Sequence, residues 1–287
     1  MNAPLLALAA IAFWATNAMT ARLALGTLNV AQIQLLQFAG AALVFAVALA
    51  GRRRPQQARS VGASLVLGLI GLTGTMVFQY IAFATGPIGE VNIVAYAWPL
   101  LAALALLVRG RVPRPLVFLL LTALGFIGAA LIVVRPGEEV MFASLSLGHL
   151  AAIASALCMA TYTVVVGSVA IDQHLAHLGG GVAGFVIAMG WCMSVGVDWP
   201  TPTAPAFWIG LYLGIGPIGV GYLLWAMAMS RDTTRRVSML GYLTPVASTG
   251  LLLVSGESIH MLALVGAVIV VGACAAIGFE SRSHASA

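Results

Sequence analysis

The charged residues of this chain are so widely spaced that they leave ten uncharged runs, each long enough to cross a lipid bilayer. A membrane-spanning helix needs about 20 mostly apolar residues, with a range of roughly 17–25. Longer runs carry extra polar, Gly or Pro residues at one end, so each run predicts one span and a short loop. The runs are 1–21, 23–51, 60–89, 91–108, 115–134, 140–171, 173–197, 199–230, 237–256 and 258–279. The pattern predicts an all-α integral membrane protein with ten transmembrane helices.

The composition excludes a soluble fold. Apolar residues make up 61% of the 287 residues and charged residues only 7%, whereas soluble domains are typically about 25% charged. The first run lacks a basic start and leads straight into further spans, so we expect it to be helix 1 and not a cleaved signal.

The basic residues predict the orientation. All 13 are Arg, and together with eight Asp and Glu they give a net charge of +5. With both termini on the inside, eleven Arg flank the inner ends of the spans, and only Arg22 and Arg135 lie outside. This bias predicts cytoplasmic N- and C-termini. It also accounts for the basic charge without a nucleic-acid partner.

The chain matches itself at an offset of 146 residues. Over 65–110 this alignment gives 11 identities in 46 positions without a gap. It pairs Tyr96 and Pro99 with Tyr242 and Pro245, two residue types that are uncommon inside apolar helices. Five spans in each half imply that the second half is inverted, with a substrate site between the halves. We therefore predict repeats over 1–139 and 140–287 that form one transport domain. The alternative is a chance match in a Leu-, Ala- and Gly-rich chain.

Polar and aromatic side chains inside the spans are the candidate substrate-binding groups. Polar groups are costly in lipid, so they should face the protein interior or a water-filled cavity. The alternative is ordinary packing and hydrogen bonding between helices. The candidates are Trp14, Asn17, Gln37, Gln79, Tyr80, Phe83, Tyr96, Trp98, Tyr162, Tyr222, Trp225 and Tyr242.

Four further residues predict irregular helices that could act as hinges. Pro99 and Pro245 each remove a backbone hydrogen bond at matching places in the two halves. Gly214 and Pro217 lie in a Gly-rich part of the eighth span. Alternating access requires such bendable points.

Signatures of catalysis, cofactors and metals are absent from the sequence, so we predict no enzyme, no cofactor and no metal site. Asp172, His174 and His177 form a small cluster that we assign to a solvated loop. No Asp or Glu lies in the middle of a span, and the nearest titratable candidates are Glu90 and His149. Transport down a gradient is therefore favoured over tight ion coupling.

These features together resemble the EamA branch of the drug/metabolite transporter superfamily, over almost the whole chain. The segment Val94-Ala95-Tyr96-Ala97-Trp98-Pro99 is similar to the Tyr-x-Trp-Pro segment of its YddG-type aromatic amino acid exporters. Ala12-Phe13-Trp14-Ala15-Thr16 is similar to the family's Trp-bearing first-helix motif. One departure is Gln37, where related proteins often carry a basic residue. The resemblance implies a central cavity lined by helices 1–4 and 6–9.

The leading hypothesis is an exporter of aromatic amino acids and similar amphiphilic metabolites in the inner membrane of a bacterium. The lipid bilayer and a small-molecule substrate are the only partners we predict, with no obligatory protein partner. A second hypothesis is a carrier for another solute, such as a nucleoside, a sugar, a branched amino acid or a drug. A third is a receptor or structural subunit, which the matched kinks disfavour.

Overall fold

The computed structural model describes residues 2–52, 60–110, 112, 114–134, 145–168, 170–197, 205–232, 237–256 and 259–283, and every regular element in these ranges is helical. The helices, in chain order, are α1 Ala3–Leu25, α2 Val30–Ala50, α3 Val61–Thr85, α4 (Ile88–Ala95 and Trp98–Val108), α5 Pro115–Val133, α6 Leu147–Val166, α7 Gln173–Val195, α8 Pro205–Arg231, α9 Val237–Val254 and α10 Met261–Ser283. Of these described segments, nine (α1 to α9) are long and apolar enough to cross a membrane. In α10 the apolar part is the shorter Met261–Ile277.

Polar caps fix where several helices begin. The side chain of Asn29 accepts from the backbone N–H of Gln32, and the Gln32 side chain accepts from the backbone N–H of Asn29, which forms a reciprocal capping box at the start of α2. Asp172 caps α7 by accepting from the backbone N–H groups of His174 and Leu175. Both residues thus satisfy donors that a helix start leaves open.

The helices pack into two groups. The α1 group contains α1, α2, α8 and α9, and the α3 group contains α3, α4, α6 and α7. Packing is extensive within each group, and α2 and α7 form the largest contact between the groups. The pair α5 and α10 packs together beside α4 and α9. Each group combines helices from both halves of the sequence, so the halves interlock.

Irregular backbone recurs at positions related by the 146-residue offset. A π-helical segment occupies Gly68–Gly74 in α3 and another occupies Gly214–Val220 in α8. The helix of α4 is interrupted at Tyr96 and Ala97, and a 3₁₀ segment in α9 ends at Tyr242. Positive φ angles of 63° and 86° occur at Gly110 and Gly256, just after α4 and α9. The sequence repeat is therefore also a repeat of backbone conformation.

Both π-helical segments pack closely against a helix from the other half. A Cβ added to Gly68 would overlap the backbone carbonyl of Ala176 in α7. A Cβ added to Gly214 would overlap the carbonyl of Gln37 in α2. Only Gly permits these approaches, because any side chain would have to occupy the neighbouring backbone.

Contacts between helix ends define two ends of the bundle. At the near end, where α1, α3, α7 and α9 begin, the Arg52 guanidinium bonds the Asp172 carboxylate at 2.6 Å. At the far end, where α2, α4, α6 and α8 begin, Glu90 bonds His149 at 2.8 Å. Helix α1 begins at the near end and α6 at the far end, so the two halves run in opposite directions.

Two sequence predictions fall largely on residues outside the described ranges. The boundary between the predicted repeats, at 139 and 140, lies there, and so do several of the Arg that define the predicted orientation. The boundary and the orientation therefore stay predictions.

Candidate functional site

A cavity of about 120 Å³ lies between the α1 group and the α3 group. It extends from the middle of the bundle toward the far end. The lining residues come from α1, α3, α4, α6, α8 and α9, with none from α2 or α7 among the described residues. They are Trp14, Asn17, Thr75, Met76, Gln79, Asn92, Ala95, Tyr96, Trp98, Ser155, Met159, Pro217, Ile218, Tyr222 and Thr244.

Aromatic rings form the floor of the cavity, on its near side. Trp14 and Tyr222 meet edge to face with ring centroids 5.8 Å apart. Trp98 completes the floor from the opposite group, and Tyr96 lines the cavity two residues before it. Such rings offer faces and edges on which a planar substrate can stack.

Three amide side chains give the cavity its polar character. Asn17, Gln79 and Asn92 lie in the parts of α1, α3 and α4 that are closest to the far end. All three are partly exposed, and none forms a side-chain hydrogen bond within the described part of the chain. An amide offers both donors and acceptors, so these groups are available to a ligand that carries either.

The described lining residues carry no formal charge. Among the described residues that contact the cavity, none is Asp, Glu, Arg or His. A cavity of this kind favours a ligand with no net charge, since a net charge would lose water without gaining an opposite partner.

The structure brings half of the predicted binding residues together. Those that line the cavity are Trp14, Asn17, Gln79, Tyr96, Trp98 and Tyr222, and the predicted hinge residue Pro217 lies beside them. Those that lie elsewhere are Gln37, Tyr80, Phe83, Tyr162, Trp225 and Tyr242.

Gln37 and Tyr80 form a hydrogen-bonded chain that is separate from the cavity. The Gln34 amide nitrogen donates to Gln37 Oε1 and the Gln37 amide nitrogen donates to the Tyr80 hydroxyl, each at 2.8 Å. The three side chains are buried, and the Tyr80 ring meets the Phe83 ring edge to face with centroids 6.1 Å apart. The bond from Gln37 to Tyr80 joins α2 to α3 away from the cavity.

The remaining three aromatic residues pack beneath or beside the floor. Trp225 and Tyr162 are fully buried directly below it, on its near side. Tyr242 is fully buried against Gly125 of α5, away from the cavity. Tyr96 and Tyr242 are thus equivalent in sequence but differ in environment.

The regular α-helix of α4 and of α9 is interrupted close to the two predicted hinge prolines. In α4 the break lies at Tyr96 and Ala97, and Pro99 occupies the first turn of the second helix, where a missing N–H costs nothing. In α9 the 3₁₀ segment gives way to α-helix at Leu243, just before Pro245. Gly214 begins the π-helical segment of α8 and Pro217 lies inside it.

Several lining residues were not predicted individually. Met76 and Thr244 are the 146-residue equivalents of Tyr222 and Trp98, so the repeat itself could have indicated them. Ser155 and Met159, on α6, carried no such signal because they are common types in an apolar helix.

The described histidines of α6 and α7 lie outside the cavity lining. His149 Nδ1 accepts a hydrogen bond from the backbone N–H of Ser146, so its Nε2 carries the proton and donates to Glu90 Oε2. His174 and His177, which we assigned to a loop, instead lie in the first turns of α7. The His177 Nε2 and the Tyr162 hydroxyl are 2.6 Å apart. Among the described residues, no group of three potential metal ligands occurs.

A bundle of apolar, membrane-length helices in two interlocked halves around a partly polar cavity defines a multi-pass membrane transporter. The profile of the EamA-like transporter family matches residues 1–134 and 146–279, and the chain belongs to this family. It is 31% identical, over 96% of each sequence, to the aromatic amino acid exporter YddG of Ancylobacter novellus. A protein crystal structure superposes with a TM-score of 0.79 at 26% identity, covering 98% of both chains.

Proposed function

We propose that this protein exports aromatic amino acids and similar amphiphilic metabolites across the inner membrane of a bacterium, by alternating access and without tight coupling to an ion gradient. The observation that carries the proposal is the uncharged cavity, which combines an aromatic floor with three amide groups that have no partner among the described residues. The similarity to an aromatic amino acid exporter supports the choice of substrate.

The two kinds of lining group suit the two parts of an aromatic amino acid. Its ring would stack on the floor, where each aromatic contact contributes about 0.5–1.5 kcal/mol. Its ammonium could lie over a Trp face, for about 0.5–2 kcal/mol, while Asn17, Gln79 and Asn92 bond the carboxylate or the ammonium. Neutral contacts of this kind favour weak, roughly millimolar binding, or about −4 kcal/mol. Weak binding suits a carrier that must release its substrate.

The proposed topology has ten spans with both termini in the cytoplasm. It follows from the excess of Arg on that side, and it places the near end in the cytoplasm. The cavity then faces the outer side. Helices α3, α4, α8 and α9 would bend at their irregular segments to expose the cavity to one side at a time.

The test is uptake of labelled phenylalanine into liposomes that contain the purified protein, with and without a pH gradient. We expect saturable uptake that excess tryptophan blocks and a pH gradient does not change. Trp98→Ala should reduce it, whereas Trp208→Ala, which alters a surface Trp that is 56% exposed, should not.

Three results would contradict parts of the proposal. Absence of phenylalanine uptake by folded protein would remove the aromatic substrate. Equal competition by leucine or a nucleoside would indicate another solute. Uptake driven by the pH gradient would contradict uncoupled transport and direct attention to Glu90 and His149.

A further inference from the structure

Trp225 lies immediately beneath the floor of the cavity. Its side chain is fully buried. Its ring centroid is 5.1 Å from that of Trp14 and 5.6 Å from that of Trp98, and both of those rings line the cavity. Trp225 thus supports two of the surfaces on which a substrate would rest, without lining the cavity itself.

The indole of Trp225 also makes a polar contact across the interface between the two groups. Its Nε1 donates a hydrogen bond to the Thr163 hydroxyl oxygen at 3.2 Å. Trp225 belongs to α8 of the α1 group, whereas Thr163 belongs to α6 of the α3 group. Trp98, its edge-to-face partner, also belongs to the α3 group. Trp225 thus belongs to the α1 group through its helix, while its side chain contacts Thr163 and Trp98 of the α3 group.

Other contacts close the interface on the same side of the cavity. The rings of Tyr162 in α6 and Tyr222 in α8 pack against each other with centroids 5.3 Å apart. Nearer the end of the bundle, a Cβ added to Gly167 would lie 2.5 Å from the carbonyl oxygen of Met229. Since α6 and α8 touch backbone to backbone there, the near side cannot open unless the two helices separate.

We propose that Trp225 is a gate residue, and that its hydrogen bond to Thr163 holds the cavity closed on the near side. The proposal rests on the alternating-access function proposed above. Opening of the near side separates α8 from α6, which breaks this bond and withdraws Trp225 from Trp98. Because Trp225 also packs on Trp14, the same movement alters the floor that holds the substrate. Closure of the gate and the shape of the binding surface are thereby linked through one side chain.

The chain offers matched substitutions for testing the bond. Trp225→Phe keeps an aromatic ring but removes the N–H, and Thr163→Val keeps the shape but removes the hydroxyl. Thr163→Ser retains the hydroxyl. Thr122→Val is the control, because the Thr122 hydroxyl is equally buried and contacts Met239 Sδ of α9, but it donates to the Phe118 carbonyl within α5 and does not join the α1 group to the α3 group.

The measurement is the distance between spin labels at two exposed near-end positions, Ala170 and Ser230, by double electron–electron resonance on the full chain in lipid nanodiscs. Cysteines for the labels replace these two residues, and the three native cysteines, Cys158, Cys192 and Cys274, are changed to Ala. Ala170 follows α6 and Ser230 lies in the last turn of α8, so their separation reports the opening of the near side directly. No substrate is needed.

We expect Trp225→Phe and Thr163→Val each to raise the ratio of long to short distances roughly 3-fold, the mean effect of one such bond in a membrane bundle. The double variant should show no more than either single variant, because both remove the same bond. Thr163→Ser and Thr122→Val should match the unmodified chain. Unchanged distances in both single variants, a multiplied effect in the double variant, or opening in Thr163→Ser would each overturn the proposal.

Phenylalanine uptake by the same protein separates this proposal from the function on which it rests. Distance shifts without phenylalanine uptake would leave the gate standing and remove the aromatic substrate. Normal uptake with unchanged distances would support the substrate and remove the gate.

Discussion

The indole Nε1 of Trp14 donates a hydrogen bond of 2.9 Å to the backbone carbonyl of Pro217, inside the π-helical segment of α8. At the equivalent position in the first half, the carbonyl of Gly71 accepts a hydrogen bond from the Thr75 hydroxyl, inside the π-helical segment of α3. Both irregular segments thus present a carbonyl that a side chain satisfies. Short π-helical segments occur frequently at functional sites. Pro217 and Ile218 of the second segment line the cavity, and the first segment ends directly before the lining residue Thr75.

The contact between Trp14 and Pro217 predicts that the indole N–H matters separately from the ring. Trp14→Phe keeps an aromatic surface but removes the donor, so α1 loses one of its polar contacts with α8. One such bond contributes about 0.6 kcal/mol on average in membrane bundles. We expect the KM for phenylalanine uptake to rise about 3-fold with a smaller change in the maximal rate, measured in proteoliposomes. Trp208→Phe is the control, and an equal rise in that variant would contradict a specific role for Trp14.

The close approach of Gly68 to α7 predicts a strong effect of a single methyl group. Gly68→Ala forces a Cβ onto the Ala176 carbonyl, and overpacking of this kind costs about 1–3 kcal/mol. Gly214→Ala should behave in the same way, because its Cβ would meet the Gln37 carbonyl. We expect both variants to unfold at lower temperature in detergent, as measured by intrinsic fluorescence.

Gly62→Ala provides the matched control in the same helix. A Cβ there meets no atom within 4 Å, and Ala is favoured over Gly in a helix by roughly 0.5–1 kcal/mol. Its stability should therefore be unchanged or slightly higher. Equal stability of Gly62→Ala and Gly68→Ala would show that α3 and α7 do not need this approach.

Two glutamines predict opposite results from the same substitution. Gln79 lines the cavity without a hydrogen-bond partner among the described residues, whereas Gln37 is bonded to Tyr80 away from it. Gln79→Met should raise the KM for phenylalanine roughly 2- to 12-fold, which corresponds to one neutral hydrogen bond of about 0.5–1.5 kcal/mol, and leave thermal stability unchanged. Gln37→Met should lower thermal stability and leave KM nearly unchanged. If Gln37→Met raised KM and Gln79→Met lowered thermal stability instead, the substrate site would lie elsewhere.

The membrane class of the fold could be predicted from the sequence because a small number of strong physical constraints determine it. Lipid excludes charge, so the spacing of charged residues predicts the runs, and the matched Tyr and Pro residues predict the repeat. The sequence predicts the irregular helical segments only in part. Pro217 indicates a distortion in α8, but the π-helical segment of α3 contains no proline, so nothing beyond its glycines signalled it.

The site was harder to predict, because burial among other helices decides which polar and aromatic groups face the cavity. Gln37 and Gln79 are the same residue type in neighbouring spans, and only the packing separates them. Trp225 shares a helix face with Tyr222, yet it lies one turn deeper, beneath the floor. Spacing along one helix cannot show where a cavity ends, since that depends on the helices opposite.

The ion pair between Arg52 and Asp172 predicts how stability depends on pH. Burial by itself would raise the pKa of Asp172, but the Arg52 guanidinium and the N–H groups of Leu175 and His174 outweigh it and lower the pKa from its usual 3.8. A carboxyl with a lowered pKa contributes stability above its unfolded pKa, and that contribution is lost as the pH falls below about 4 through the folded value. The pair is only partly buried, with side chains 16% and 13% exposed, so we expect it to contribute no more than about 1 kcal/mol.

Two substitutions separate the ion pair from the helix cap that Asp172 also provides. Asp172→Asn keeps an oxygen for the N–H groups of α7 but loses the charge, whereas Asp172→Ala loses both and should cost about 1 kcal/mol more. Between pH 5 and pH 3, the unfolding temperature in detergent should fall more for the unmodified chain than for Asp172→Asn, because the variant has no carboxyl to protonate. If both fell equally, the carboxylate of Asp172 would contribute nothing to the acid sensitivity. Since the pair joins α2 of one group to α7 of the other at the near end, such a result would also show that these helices hold together there without it.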